Sequence, residues 1–311
     1  LKTAVTFAQG SLAEPSAAEH AMADVRGRLA LYAELAKLRL VTLVLATVAT
    51  GFVLGARGAS HPSTLALTLL GTGMVAAGSG AWNQYLERDR DLLMRRTRNR
   101  PLPSGQITSR QAVVFGTVLG VVGVAILAVA ANLLTAAVAV LTFVLYVFVY
   151  TPLKPVTTLN TVVGAVPGAL PAVIGWSAAT GRLGIEAWAL FLIVFLWQFP
   201  HFLAIAWIYR EDYARGGHVM LPSVDPNGVL TGRQAAGYAL ALVPAGLLPT
   251  TIHLAGSLYF VGALLLGLYY LNHAVRFWLE ANDKAARRLM WASFLYLPAI
   301  LLLLLLNPLP V

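Results

Sequence analysis

STLALTLLGTGMVAAGSGAWNQYLERDRDLLMRRTRNRP, residues Ser63–Pro101, joins a long apolar run to a dense set of charges. Residues 63–86 contain no Asp, Glu, Lys or Arg. At about 1.5 Å per helical residue such a run crosses a hydrocarbon core of about 30 Å. Asn83, Glu87 and Asp91 then follow at i, i+4 and i+8, which places them along one helix face. Three oxygen-bearing side chains on one face suit a hard divalent cation such as Mg²⁺, which also takes substrate phosphate oxygens. The arginines alongside are forked phosphate partners. Arginines at a membrane boundary also set orientation, but acids contribute little to topology, so the spaced acids favour a metal-diphosphate site.

The whole chain repeats the first half of this pattern. It has 311 residues, 58% hydrophobic and 11% charged, with a mean hydropathy of +0.73. That composition indicates an all-α polytopic membrane protein. There is no cysteine, which excludes disulfides, thiolate metal sites, iron–sulfur clusters and cysteine catalysis. The formal charge of +9 is explained by orientation and anionic lipid, without nucleic acid. Arg-rich, Lys-poor usage suggests a GC-rich bacterial source.

Nine apolar spans are expected, at residues 40–57, 63–86, 110–130, 133–151, 160–179, 186–209, 234–252, 257–275 and 290–307. Residues 1–37 read as a cytoplasmic tail, largely disordered and ending in an interfacial helix, and 38–311 as a single nine-helix domain. No signal-peptide pattern opens the chain. Of the Lys and Arg residues, all but Arg57 and Arg182 fall on one side of these spans. The positive-inside rule makes that side cytoplasmic, with the C-terminus outside a bacterial plasma membrane.

Two further stretches carry chemistry on the cytoplasmic side. In WQFPHFLAIAWIYREDYARGGHVMLP, residues 197–222, Glu211 and Asp212 offer carboxylates from a second direction, and Gly216–Gly217 end the helix. His201 and Gln198 lie inside the sixth span, where polar groups are costly and often functional. On an unbroken helix His201 and Asp212 share a face about 16 Å apart. His201 is either a haem contact or a hydrogen-bonded structural histidine. In YTPLKPVTTLN, residues 150–160, Lys154 is a diphosphate ligand or a topology signal, on a loop that its prolines are expected to hold extended. Asn160 is placed to face the same site.

These stretches resemble the UbiA-type intramembrane prenyltransferases, over about residues 35–305. NQYLERDRD is similar to that family's Asn-x-x-x-Asp-x-x-x-Asp element, with Glu87 in place of the commoner aspartate, and Arg96, Thr97, Arg100 and Pro101 match its RT-x-x-RP ending. The WQ-x-PHF and DY…G…MLP elements resemble its haem-farnesylating branch. The resemblance implies a nine-helix bundle around a central cavity, and transfer of a farnesyl group from farnesyl diphosphate to a vinyl group of haem B with Mg²⁺. It implies catalytic Asn83, Glu87, Asp91 and Asp212, with metal ligands from these and Glu211. Diphosphate is expected at Arg88, Arg95, Arg96, Arg100, Lys154 and Arg210, and haem at His201, Gln198 and Trp197. The lipid bilayer, haem A synthase and cytochrome oxidase assembly proteins are the partners it suggests. Alternatives are a family member with a quinone-precursor acceptor, or a transporter. Against a transporter, no inverted repeat is found and the acids lie at one surface rather than at the midplane.

Overall fold

The apolar runs become helices because, away from water, each backbone N–H and C=O must be satisfied within its own segment. The computed structural model describes residues 27–59 and 61–309; most of the tail expected at 1–37 lies outside these, and residues 27–35 are helical. Nine long helices follow among the described residues. They are α1 (Leu38–Ala56), α2 (Pro62–Asp91), α3 (Ser109–Ala130), α4 (Leu133–Leu153), α5 (Asn160–Thr180), α6 (Ile185–Ile208), α7 (Val229–Thr251), α8 (Ser257–Glu280) and α9 (Asp283–Leu306). Eight are long and apolar enough to cross a membrane; α7 is as long but carries Gly232, Arg233 and Gln234 and two internal prolines. The chain is a multi-pass membrane protein.

Several helices run past the expected apolar limits. α2 continues to Asp91, α8 to Glu280, and α9 starts at Asp283. Their charged ends are helix-compatible and reach beyond the apolar layer, so hydropathy marks the membrane and not the helix end. In the other direction, α6 stops at Ile208 because Tyr209 leaves helical geometry (φ −108°, ψ 20°), and Arg210–Arg215 form a separate short helix. The single helix face expected to link His201 and Asp212 is therefore broken.

Close packing relies on small residues, as it does where lipid gives helices no hydrophobic drive to associate. α1 meets α5 at Gly51 and Gly175, where a Cβ on Gly175 would come within 2.0 Å of the Val48 carbonyl oxygen. The loops after α2, α4 and α6 gather at one end of the bundle. There Arg90 donates to the Gly216 and Gly217 carbonyls at 3.1 Å, and the Val219 N–H donates to the Lys154 carbonyl at 2.7 Å. Gly217 (φ +66°) supplies the left-handed turn that lets this loop fold back. At the opposite end Arg57 pairs with Glu186 at 3.1 Å.

Candidate active site

Asn83, Glu87 and Asp91 lie along one face of α2, as their spacing requires, and all three are buried. Each meets a partner from another element. Lys154 Nζ lies 2.6 Å from Glu87 Oε1. Arg100 Nη1 donates to Asp91 Oδ2 at 2.8 Å. Lys37 Nζ donates to Asn83 Oδ1 at 2.6 Å, and the Asn83 amide donates to Thr151 Oγ1 at 3.0 Å.

The local sequence explains each placement. Thr97 donates to the Asp91 carbonyl at 2.9 Å, folding the chain after α2 back so that Arg100 reaches Asp91. A π-helical turn, Leu145–Tyr150, and a last helical turn, Thr151–Leu153, deliver Lys154. The loop around Lys154 is thus helical where an extended one was expected, and Lys154 itself has φ −55° and ψ −41°. Pro152 sits in the last turn of α4, directly after the π-helical turn, and the chain stays helical through it to Leu153. Lys37 takes the left-handed conformation (φ 52°) between the 27–35 helix and α1.

The two lysines differ electrostatically. Burial alone would lower the Lys154 pKa, but Glu87 outweighs it and holds the ammonium above the ordinary lysine range. Lys37 is pushed down to about 7 because burial disfavours its charge and Arg100 repels it. Lys37 is half-buried as a whole, and its ammonium is bonded to the fully buried Asn83.

Asp91 Oδ1 is buried with no hydrogen-bond partner among the described residues. An unsatisfied carboxylate oxygen one turn from Glu87 fits a divalent cation. Among the described residues no three His, Cys, Asp or Glu side chains gather at metal-binding range. A divalent cation at this face would be held by Glu87 and Asp91, with water and substrate oxygens completing its shell.

The second acidic pair divides. Asp212 is buried, and its Oδ1 and Oδ2 accept the backbone N–H groups of Arg95 and Arg96, each at 3.1 Å, while Arg215 pairs with Oδ1. Burial raises its pKa, but these hydrogen bonds outweigh that and hold the carboxyl below its usual value. Asp212 thus fastens the α6 loop to the loop after α2. Glu211 is exposed and lines an open cleft of about 460 Å³ with Arg95, Arg96, Arg210 and Arg215. The arginines foreseen as one phosphate set are split. Arg100 joins the α2 face, and Arg95, Arg96 and Arg210 line the cleft. Arg88 donates to the Tyr85 carbonyl and pairs with exposed Asp89.

His201 is buried on α6, stacked on Trp197 with ring centroids 5.0 Å apart, and its Nδ1 is 2.7 Å from Ser293 Oγ. Trp197 Nε1 donates to the Ser293 carbonyl, and Gln198 Nε2 to the carbonyls of Ala165 and Val194. Asn160 Nδ2 donates to the Val219 carbonyl at 2.9 Å and so holds the 216–222 loop against α5. Lys37, Thr151 and Arg90 are not among the expected site residues, although all three lie in segments expected at this end. Lys37 and Asn83 are 46 residues apart, so no local spacing could have joined them.

Comparison with known proteins agrees with this architecture. Residues 44–309 match the UbiA prenyltransferase family. The protoheme IX farnesyltransferase of Solibacter usitatus is 47% identical over 285 residues, covering 89% of this chain and 98% of that one. A solved digeranylgeranylglyceryl phosphate synthase superposes with a TM-score of 0.76 at 17% identity, over 90% of this chain and 98% of that one. A UbiA homolog from Archaeoglobus fulgidus, bound to GPP and Mg²⁺, gives 0.61 at 16% identity over 88% and 99%. With its α2 acids, nine-helix order and full-length match to these proteins, the chain belongs to the UbiA prenyltransferase family.

Proposed function

We propose that this protein transfers the farnesyl group of farnesyl diphosphate to a vinyl group of haem B, with addition of water, giving haem O and diphosphate. The observation that carries it is the convergence of Lys37, Arg100 and Lys154 on the buried Asn83–Glu87–Asp91 face at one end of a membrane bundle. The acceptor is argued from the relative that this chain matches over 98% of that relative's length, which is named a protoheme IX farnesyltransferase.

Lys154 and Arg100 balance Glu87 and Asp91, so the positive charge that a diphosphate needs comes from Lys37, charged in part near pH 7, and from a bound divalent cation. Lys154 and Arg100 hold the departing group, and Lys37 bonds it from the α1 side. Glu87 and Asp91, with Asn83, would hold a divalent cation, read here as Mg²⁺, which as a Lewis acid neutralises charge on the leaving diphosphate. As the C1–O bond breaks, its electron pair leaves with diphosphate and C1 becomes an allylic cation. The vinyl π pair forms the new C–C bond to C1. The cation left on the acceptor takes the oxygen of water, which loses a proton. Apolar helix walls hold the prenyl chain and exclude water from the first cation.

Asp212 acts here as the tie between the two loops. Arg95, Arg96, Arg210 and Glu211 form the mouth, whose net positive charge draws in anionic substrates. His201 contacts the haem, with Trp197 stacked behind it and Gln198 bracing α6 against α5. The arginine-rich end is cytoplasmic, in a bacterial plasma membrane. The test offers the purified protein haem B or a quinone precursor with farnesyl diphosphate and Mg²⁺, and reads the prenylated product by mass spectrometry. Product from haem B supports the reading, and product only from the quinone precursor replaces it with the other acceptor class.

A further inference from the structure

We propose that Ser293 is a positioning residue that fixes the His201 tautomer, leaving Nε2 free to ligate the iron of the haem substrate. This rests on the haem reading above. Ser293, on α9, is fully buried, and its Oγ donates its one proton to the Met290 carbonyl of its own helix. The Met290 carbonyl can only accept, whereas an imidazole nitrogen can donate or accept, so Oγ is left to accept from His201 Nδ1, 2.7 Å away. The imidazole is therefore protonated at Nδ1, and Nε2 carries the lone pair. No hydrogen bond engages Nε2 among the described residues.

The ring is held from other sides as well. Trp197 stacks on it with planes 14° apart, and Trp197 Nε1 donates to the Ser293 carbonyl at 2.9 Å, so one α9 residue orients both aromatic rings. Phe294, next in the chain, meets His201 edge-on at 5.2 Å and is 44% exposed, which puts the pair beside an accessible face of the α6–α9 seam. A histidine whose second nitrogen is bonded to an oxygen acceptor is the standard arrangement for a metal ligand, since the bond sets ring orientation and raises the donor strength of the other nitrogen.

The experiment titrates haem B into purified wild type and into His201→Ala, Ser293→Ala and Ser293→Thr, without farnesyl diphosphate. It records affinity, the Soret band and the reduction potential. Ser293→Ala is expected to weaken binding about tenfold, shift the Soret band and raise the potential, because the imidazole loses its acceptor. Ser293→Thr keeps the hydroxyl and is expected to restore the wild-type band. If His201→Ala alters the spectrum while Ser293→Ala matches wild type in band and potential, the positioning role is overturned and the haem reading stands. If His201→Ala also matches wild type, or wild type binds no haem, haem contact at His201 is itself wrong and this inference falls with it.

Discussion

Lys154 and Glu87 form a nearly buried ion pair, with Nζ 2.6 Å from Oε1 and side-chain exposures of 12% and 7%. The pair ties the end of α4 to the acidic face of α2. Breaking such a pair leaves a charge without a partner at a cost of about 3–5 kcal/mol, whereas removing both partners costs much less. Glu87→Gln should therefore lower the melting temperature in detergent, and adding Lys154→Met should recover most of it. Both variants should lose turnover, and Glu87→Asp should keep more activity than Glu87→Gln. A double variant less stable than Glu87→Gln would contradict this account.

Asp91 has one oxygen on Arg100 and the other without a hydrogen bond among the described residues. Asp91→Ala should lose at least about 100-fold in turnover, roughly 3 kcal/mol of transition-state stabilisation, while remaining folded. The check is steady-state farnesyl transfer together with a chelator titration of wild type. Full activity in the variant, with chelator still inhibiting wild type, would remove Asp91 from the metal site.

Asp212 links the α6 loop to the backbone of Arg95 and Arg96, and its carboxyl titrates below its usual value. A depressed carboxyl stabilises the fold above the unfolded value of about 3.9, and that contribution is lost as pH falls through the lower folded value. Wild type should melt above Asp212→Asn at pH 7, by about 1–3 kcal/mol of charge-assisted bonding. The gap should close as the pH is taken below about 4. A gap that stays unchanged well below that value, at about pH 2, would show that Asp212 acts through packing alone.

Orientation has its own test, helped by the absence of cysteine from the chain. Single cysteines at Ser104, in the loop after α2, and at Arg182, between α5 and α6, should label from opposite sides, with Ser104 cytoplasmic. Labelling of both from the same side would overturn the nine-span topology.

Fold class was legible in the sequence because membrane spans are written in single segments, each satisfying its own backbone. The α2 face was legible for the same reason: Asn83, Glu87 and Asp91 are neighbours through one helical period. What the sequence withheld lies between segments. Nothing local shows that Lys37 bonds Asn83, that Arg95 and Arg96 turn to a cleft while Arg100 turns to Asp91, or that Asp212 is occupied by backbone N–H groups. The extended reading of the Lys154 loop failed because a π-helical turn carries α4 on through Pro152 to Leu153, and nothing in the local sequence marks that turn.

The central claim, that the cationic α2 face releases diphosphate so that a haem vinyl group takes the farnesyl chain, is tested most directly in ¹⁸O-labelled water. Purified protein is incubated with haem B, farnesyl diphosphate and Mg²⁺, and the pigment is weighed by mass spectrometry. The account predicts a haem heavier by one farnesyl group and one labelled hydroxyl group, formed by wild type and lost in Asp91→Ala. Unmodified haem, or a farnesylated haem without the labelled oxygen, would contradict it.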